Sequence, residues 1–224
     1  MEGATAVAAD RARRARAAGA AGLMVLPPAT ARSTDQLVDH FSCIADAAGI
    51  PILVQDSPQI TGVTLTLDAI VRIAEAQPLA GSLKVETPGA GAKVSAAAEA
   101  GIEIVAGWGG LSYLEQLRRG ASGCMPGCDL GPAILALDRQ ARHDKAADAE
   151  ASYRRILPLL AYEVQSLDLL ILGAKRLLRR QGIFRDDAMR SPGREVDAHE
   201  AATLDALIDR LAADGVPGFE GLLT

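Results

Sequence analysis

Between residues 21 and 125 the chain alternates short apolar runs with helical stretches, closed by glycine or proline. Runs at 21–26, 50–55, 79–86, 102–106 and 121–125 read as strands. Stretches at 5–18, 33–48, 66–76, 92–100 and 112–119 read as helices, with Ser33 or Thr34 and Thr66 or Leu67 at two of their starts. Gly19, Pro27-Pro28 and Gly49 stop their elements, because proline removes a backbone donor and glycine admits left-handed backbone. Short apolar strands separated every time by a helix are the pattern of a parallel sheet with crossover helices. After residue 125 only helical periodicity remains, at 131–142, 146–160, 164–181 and 198–213, with a loop at 184–196. The expected class is therefore α/β, with a parallel sheet, either open or closed, at 1–128 and a helical region at 129–224.

A chain of 224 residues holds one sizeable α/β domain. Its net charge of -5 gives no basic footprint for nucleic acid. No apolar run approaches the roughly 20 residues of a membrane span, and the arginine-rich start lacks the apolar core of a signal peptide. Cys43, Cys124 and Cys128 are an odd, scattered set that suits a reducing cytosol, so a cytoplasmic protein is expected. Cys124 and Cys128 lack flanking histidines, and His40, His143 and His199 sit on separate helices, so no metal site is expected.

Lys84 stands out because it lies near the end of a buried-looking strand. A buried ammonium is costly unless paired, and a lysine that loses its proton is a nucleophile for carbonyl compounds; snorkelling to solvent is the structural alternative. Free lysine has a pKa of about 10.4, so imine formation needs a site that favours the neutral amine, and Leu26, Val54 and Val105 are expected to surround it. Glu86 follows two residues later, hence on the same strand face about 7 Å away, either as a proton carrier or as a salt bridge. Asp56 is a candidate for acid-base work or substrate binding, or a turn-former. Gly107-Trp108-Gly109-Gly110 admits close backbone approach to a ligand with Trp108 as a pocket wall, and Met125 is placed to line the same pocket. Lys93, on a helix, reads as a decoy lysine whose mutation is expected to be nearly silent, and Lys175, Arg176, Arg179 and Arg180 read as a solvated face.

Taken in order, these units resemble the family of dihydrodipicolinate synthase and N-acetylneuraminate lyase, which are class I Schiff-base aldolases and dehydratases. That family is built on a (β/α)8 TIM barrel with extra C-terminal helices. The run from Gly19 to Pro28 resembles the family's fourth strand, and Pro51-Ile52-Leu53-Val54-Gln55-Asp56-Ser57-Pro58 its fifth strand and following loop. Ser82-Leu83-Lys84-Val85-Glu86 falls where the family carries its imine-forming lysine, and the segments at Gly107 and Gly120 match the seventh and eighth strands. The resemblance thus covers about five of eight strands and implies an N-terminally truncated reading frame. Gln55 stands where the family has its proton-relaying tyrosine, and Ile60 where dihydrodipicolinate synthases have an arginine. An amide is no phenolic acid and isoleucine pairs with no carboxylate, which turns the expectation away from lysine-precursor synthesis.

The resemblance implies a lyase that forms a Schiff base between Lys84 and a 2-oxo acid such as pyruvate or a keto-deoxy sugar acid. Glu86 and Gln55 are its expected catalytic partners, and Asp56, Gly107, Trp108 and Met125 its substrate-binding residues. Such chemistry needs no metal or organic cofactor, and a homo-oligomer is expected. The alternative is a catalytically impaired homologue that binds a small acid or acts as a partner subunit.

Overall fold

A computed structural model describes residues 4–143 and 145–222. Its backbone divides into two compact units, Met1–Ala106 with Glu115–Gly123, and Gly107–Leu114 with Cys124–Thr224.

The first unit runs α1 (Thr5–Ala17), β1 (Leu23–Val25), α2 (Thr34–Ala48), β2 (Ile52–Asp56), α3 (Pro58–Thr61), α4 (Leu67–Ala76), β3 (Ser82–Val85), α5 (Gly91–Glu99) and β4 (Glu103–Ala106). A short helix α6 (Tyr113–Arg118) precedes β5 (Gly123–Cys124). The helix ends follow their capping residues. Ser33 accepts from Gln36 N–H to start α2, Gly49 ends it with φ 62°, and Thr66 accepts from Ala69 N–H to start α4. The strand around Lys84 is shorter than its apolar run, since Pro78 opens a 3-10 turn, Pro78–Ala80, under a Gln77 side-chain cap.

The strands stand in the order β1-β2-β3-β4-β5, and the first four pair in parallel. An order that never reverses places each crossover on the same side, as in an arc of a (β/α) barrel; a doubly wound sheet reverses at a switch point. Register fixes the two faces. Val54, Leu83 and Ile104 form one row and pack with Phe41, Ile44, Ile70, Ile73 and Val94 from the helices. Each such aliphatic or aromatic side chain contributes roughly 1.5–3 kcal/mol by burial. Gln55, Lys84 and Val105 form the next row, on the opposite face. Val54 therefore belongs to the helix-facing core and not to the surroundings of the amine, contrary to expectation.

The second unit is helical: α7 (Gly131–Arg142), α8 (Ala146–Glu163), α9 (Leu167–Arg180) and α10 (Ala198–Ala213). Leu130, Leu137, Ile156, Leu160, Leu177, Leu204, Ile208 and Phe219 are among its buried apolar residues. Ser166 caps α9, and Asp197 with Glu200 forms a reciprocal capping box on α10. The basic stretch of α9 is not a solvated face. Arg176 pairs with Asp205 and Asp187, and Arg180 pairs with Asp209, tying α9 to α10. Glu163, at the end of α8, is fully buried, and among the described residues neither of its carboxyl oxygens has a hydrogen-bond partner. Burial, helped by the nearby Asp129 carboxylate, pushes Glu163 up to about 10, and burial pushes Asp129 up to about 6. Among the described residues no helix is long and apolar enough to cross a membrane.

Candidate active site

Lys84 projects from β3 in register with Gln55 on β2 and Val105 on β4, and is 8% exposed. Glu86 leaves the end of the same strand while its N–H continues the ladder to the Asp56 carbonyl at 3.0 Å. The two-residue period brings the side chains together, with Lys84 Nζ 3.0 Å from Glu86 Oε1. Gln55 Nε2 donates to Glu86 Oε2 at 2.5 Å, so one carboxylate bridges an ammonium and an amide. Gln59, from α3, donates its side-chain amide to the Glu86 carbonyl at 2.9 Å. All three central residues are buried, which makes each polar contact costly to lose. An amine nucleophile with a carboxylate in hydrogen-bond reach is the minimum set for forming an imine and moving a proton beside it.

Asp56 is not part of this cluster. It follows Gln55, so strand alternation turns it to the helix-facing side, where it is fully buried. Its carboxylate accepts from Leu65 N–H at 3.1 Å, from Lys93 Nζ at 2.8 Å and from the Thr87 hydroxyl. Fully buried on the far face from Lys84, and with both oxygens engaged by protein donors, it is placed as a structural acid, against its expected substrate-binding role. Lys93 is corrected with it. Its ammonium also donates to the Leu65 carbonyl at 2.8 Å, so it is the part-buried half of an ion pair with a fully buried carboxylate, and its loss is not expected to be silent. Strand parity, applied to Asp56 as it was to Glu86, gives this placement from sequence; nothing in the sequence marks Lys93.

Gly107, Trp108 and Met125 fall in the second unit. Gly107 is buried, Trp108 half-buried and Met125 exposed. Trp108 takes φ 50° among glycines at 67° and 93°, which gives the glycines a backbone reason. They also have a packing reason, since a Cβ on Gly109 would stand 3.2 Å from Leu160 and one on Gly110 3.1 Å from Ile134. Lys84, Glu86 and Gln55 are brought together by direct contacts.

The model of the dihydrodipicolinate synthetase family matches residues 2–211. The chain belongs to that family. A relative within it is L-2-keto-3-deoxyarabonate dehydratase of Azospirillum brasilense, 35% identical over 218 residues, which cover 92% of this chain and 69% of the relative. Among solved structures, dihydrodipicolinate synthase from Rhodopseudomonas palustris is 25% identical with a TM-score of 0.85, covering 94% of this chain and 72% of that one. The sialic acid aldolase of Ruminococcus gnavus shares the fold with a TM-score of 0.83 at 17% identity, over 95% of this chain and 72% of that one. The fold is thus the family's barrel, represented by a five-stranded sheet and the C-terminal helices. The activity class is the family's lysine Schiff-base lyase for pyruvate-type acids.

Proposed function

We propose that Lys84 is the imine-forming lysine and that the substrate is a 2-keto-3-deoxy sugar acid, which the enzyme dehydrates. The observation that carries the reading is the contact of Lys84 Nζ with Glu86 Oε1 at 3.0 Å, with Gln55 holding the other oxygen. The amine attacks the C2 carbonyl of the acid, and water leaves to give an iminium. This cation withdraws electrons from C3, so Glu86 takes a C3 proton and an enamine forms. The C4 hydroxyl departs with a proton returned by Glu86, for a net loss of one further water, and hydrolysis of the imine regenerates the amine. Gln55 cannot relay protons as a phenol does, and in this reading it orients the carboxylate that takes over the task. The identity to a keto-deoxyarabonate dehydratase supports the substrate class. Gly107, Trp108 and Met125 are kept as substrate-lining candidates, in a cytoplasmic homo-oligomer, with the domain boundary at 128/129.

Borohydride trapping tests the reading. The protein is incubated with pyruvate and with 2-keto-3-deoxy sugar acids, reduced, and the adduct mapped by mass spectrometry. The expected result is a single adduct at Lys84 with turnover of the sugar acid. No adduct at Lys84 with any of these acids sinks the Schiff-base reading. An adduct without turnover favours the alternative, a small-acid-binding homologue in which Gln55 marks the lost relay.

A further inference from the structure

Asp56 grips the Glu86-Thr87 dipeptide twice. Its main-chain carbonyl accepts from Glu86 N–H at 3.0 Å, and its carboxylate accepts from the Thr87 hydroxyl. The same carboxylate is held by Lys93 Nζ and by Leu65 N–H, so it is neutralised and fixed from α5 and from the loop before α4. On the other side of the strand end, Gln59 holds the Glu86 carbonyl. The backbone that carries Glu86 is therefore pinned at its N–H, at its carbonyl and at the next side chain. Placement matters here because a carboxylate that shifts by an ångström between two partners loses one of them, and charge-assisted hydrogen bonds are strongly directional.

We propose that Asp56, neutralised by Lys93, is the positioning residue for Glu86, fixing the Glu86-Thr87 backbone so that the carboxylate stays between Lys84 and Gln55. Asp56 reaches no substrate itself; it acts through Thr87 and the strand ladder. The inference rests on the reading of Glu86 as the proton carrier.

The decisive variant is Thr87→Val, which keeps the side chain's shape and removes its hydroxyl. Lys93→Arg, which keeps the charge on Asp56, serves as the conservative control. Three quantities are read: the yield of the trapped pyruvate adduct on Lys84, kcat and KM for a 2-keto-3-deoxy sugar acid, and the NMR signal of the Gln55 side-chain amide, which reports its bond to Glu86. In Thr87→Val the adduct yield and KM are expected to hold, the Gln55 signal to move, and kcat to fall roughly tenfold to a hundredfold. Lys93→Arg is expected to keep most of kcat. Wild-type kcat and an unmoved Gln55 signal in Thr87→Val overturn the inference. So does an adduct yield that falls in step with kcat, because the effect would then lie at Lys84. If the wild-type protein forms no adduct, the Schiff-base reading fails separately, and the Gln55 signal decides the positioning: a shift in Thr87→Val supports it and no shift overturns it.

Discussion

Glu86 Oε1 stands 3.0 Å from Lys84 Nζ, both side chains on one face of β3 and both buried. Their separation along the chain makes the contact a property of strand geometry alone, while Gln55 from the neighbouring strand decides how the carboxylate is turned. The pair divides the chemistry into a nucleophile and a proton carrier, and the two roles separate experimentally.

Glu86→Gln keeps the shape at the strand end and removes the base. Lys84 still forms its imine with pyruvate, and borohydride still traps it. Turnover of the sugar acid falls by about 10²–10⁴-fold, the usual range for losing a positioned acid-base group. Steady-state rates set beside adduct yields check this; equal losses in both would remove Glu86 from the proton-transfer steps.

Gln55→Leu takes away the amide that donates to Glu86 Oε2. A buried carboxylate oxygen left without its donor costs about 1–3 kcal/mol. The expected outcome is a lower denaturant midpoint together with a lower kcat. Unchanged stability would mean that another donor takes the place of Gln55.

Lys93→Met leaves Asp56 as a buried charge without its counter-ion. Asp56 is fully buried, and the Lys93 side chain is 18% exposed. Breaking such a pair from one side costs about 3–5 kcal/mol, whereas removing both partners spares the uncompensated charge and leaves the smaller cost, about 1–3 kcal/mol per group, of the Leu65 N–H and Thr87 hydroxyl that lose their acceptor. Chemical denaturation of Lys93→Met against the double variant Asp56→Leu with Lys93→Met tests it. A single variant as stable as wild type would return Lys93 to its expected, nearly silent role.

Helix bounds that local chemistry sets were legible, whereas α8 runs on to Glu163 and α9 begins at Leu167, each about three residues beyond the expected 160 and 164. Ser33, Gly49, Thr66 and the arginine-ended α7 act within one turn of their own helix. The Lys84-Glu86 contact was legible for the same reason, as the two residues share one strand. What depends on a second element was not. Gln55 to Glu86 spans two strands, Lys93 to Asp56 a helix and a strand, and Arg176 to Asp205 two helices. In each case the residue's own neighbourhood in sequence carries no trace of the partner, so a paired lysine or arginine reads as a solvated one. The four-residue helix α3 was missed because Pro58 and Gly62, which start and end it, read equally well as loop residues.

Glu163 gives the second unit an expected pH dependence. Its carboxyl is buried against Gly173, where a Cβ would stand 2.1 Å from Oε1, so the glycine supplies the room the acid occupies. Its folded value is raised to about 10 from an ordinary 4.5, so between these values the folded chain holds a proton that the unfolded chain has lost. The stability linked to this group is fully present below about pH 4.5 and falls as pH rises towards 10, by up to about 1.4 kcal/mol per pH unit. Asp129, raised from 3.8 to about 6, adds a loss of the same sign at lower pH. Glu163→Gln keeps the shape and removes the titration. Denaturant midpoints taken from pH 6 to pH 9 should fall steeply for the wild type and remain nearly level for Glu163→Gln. The variant should be the more stable protein at the alkaline end. Parallel slopes for the two proteins would mean that Glu163 ionises without cost, and that a cation or a rearranged donor reaches it once its proton is gone.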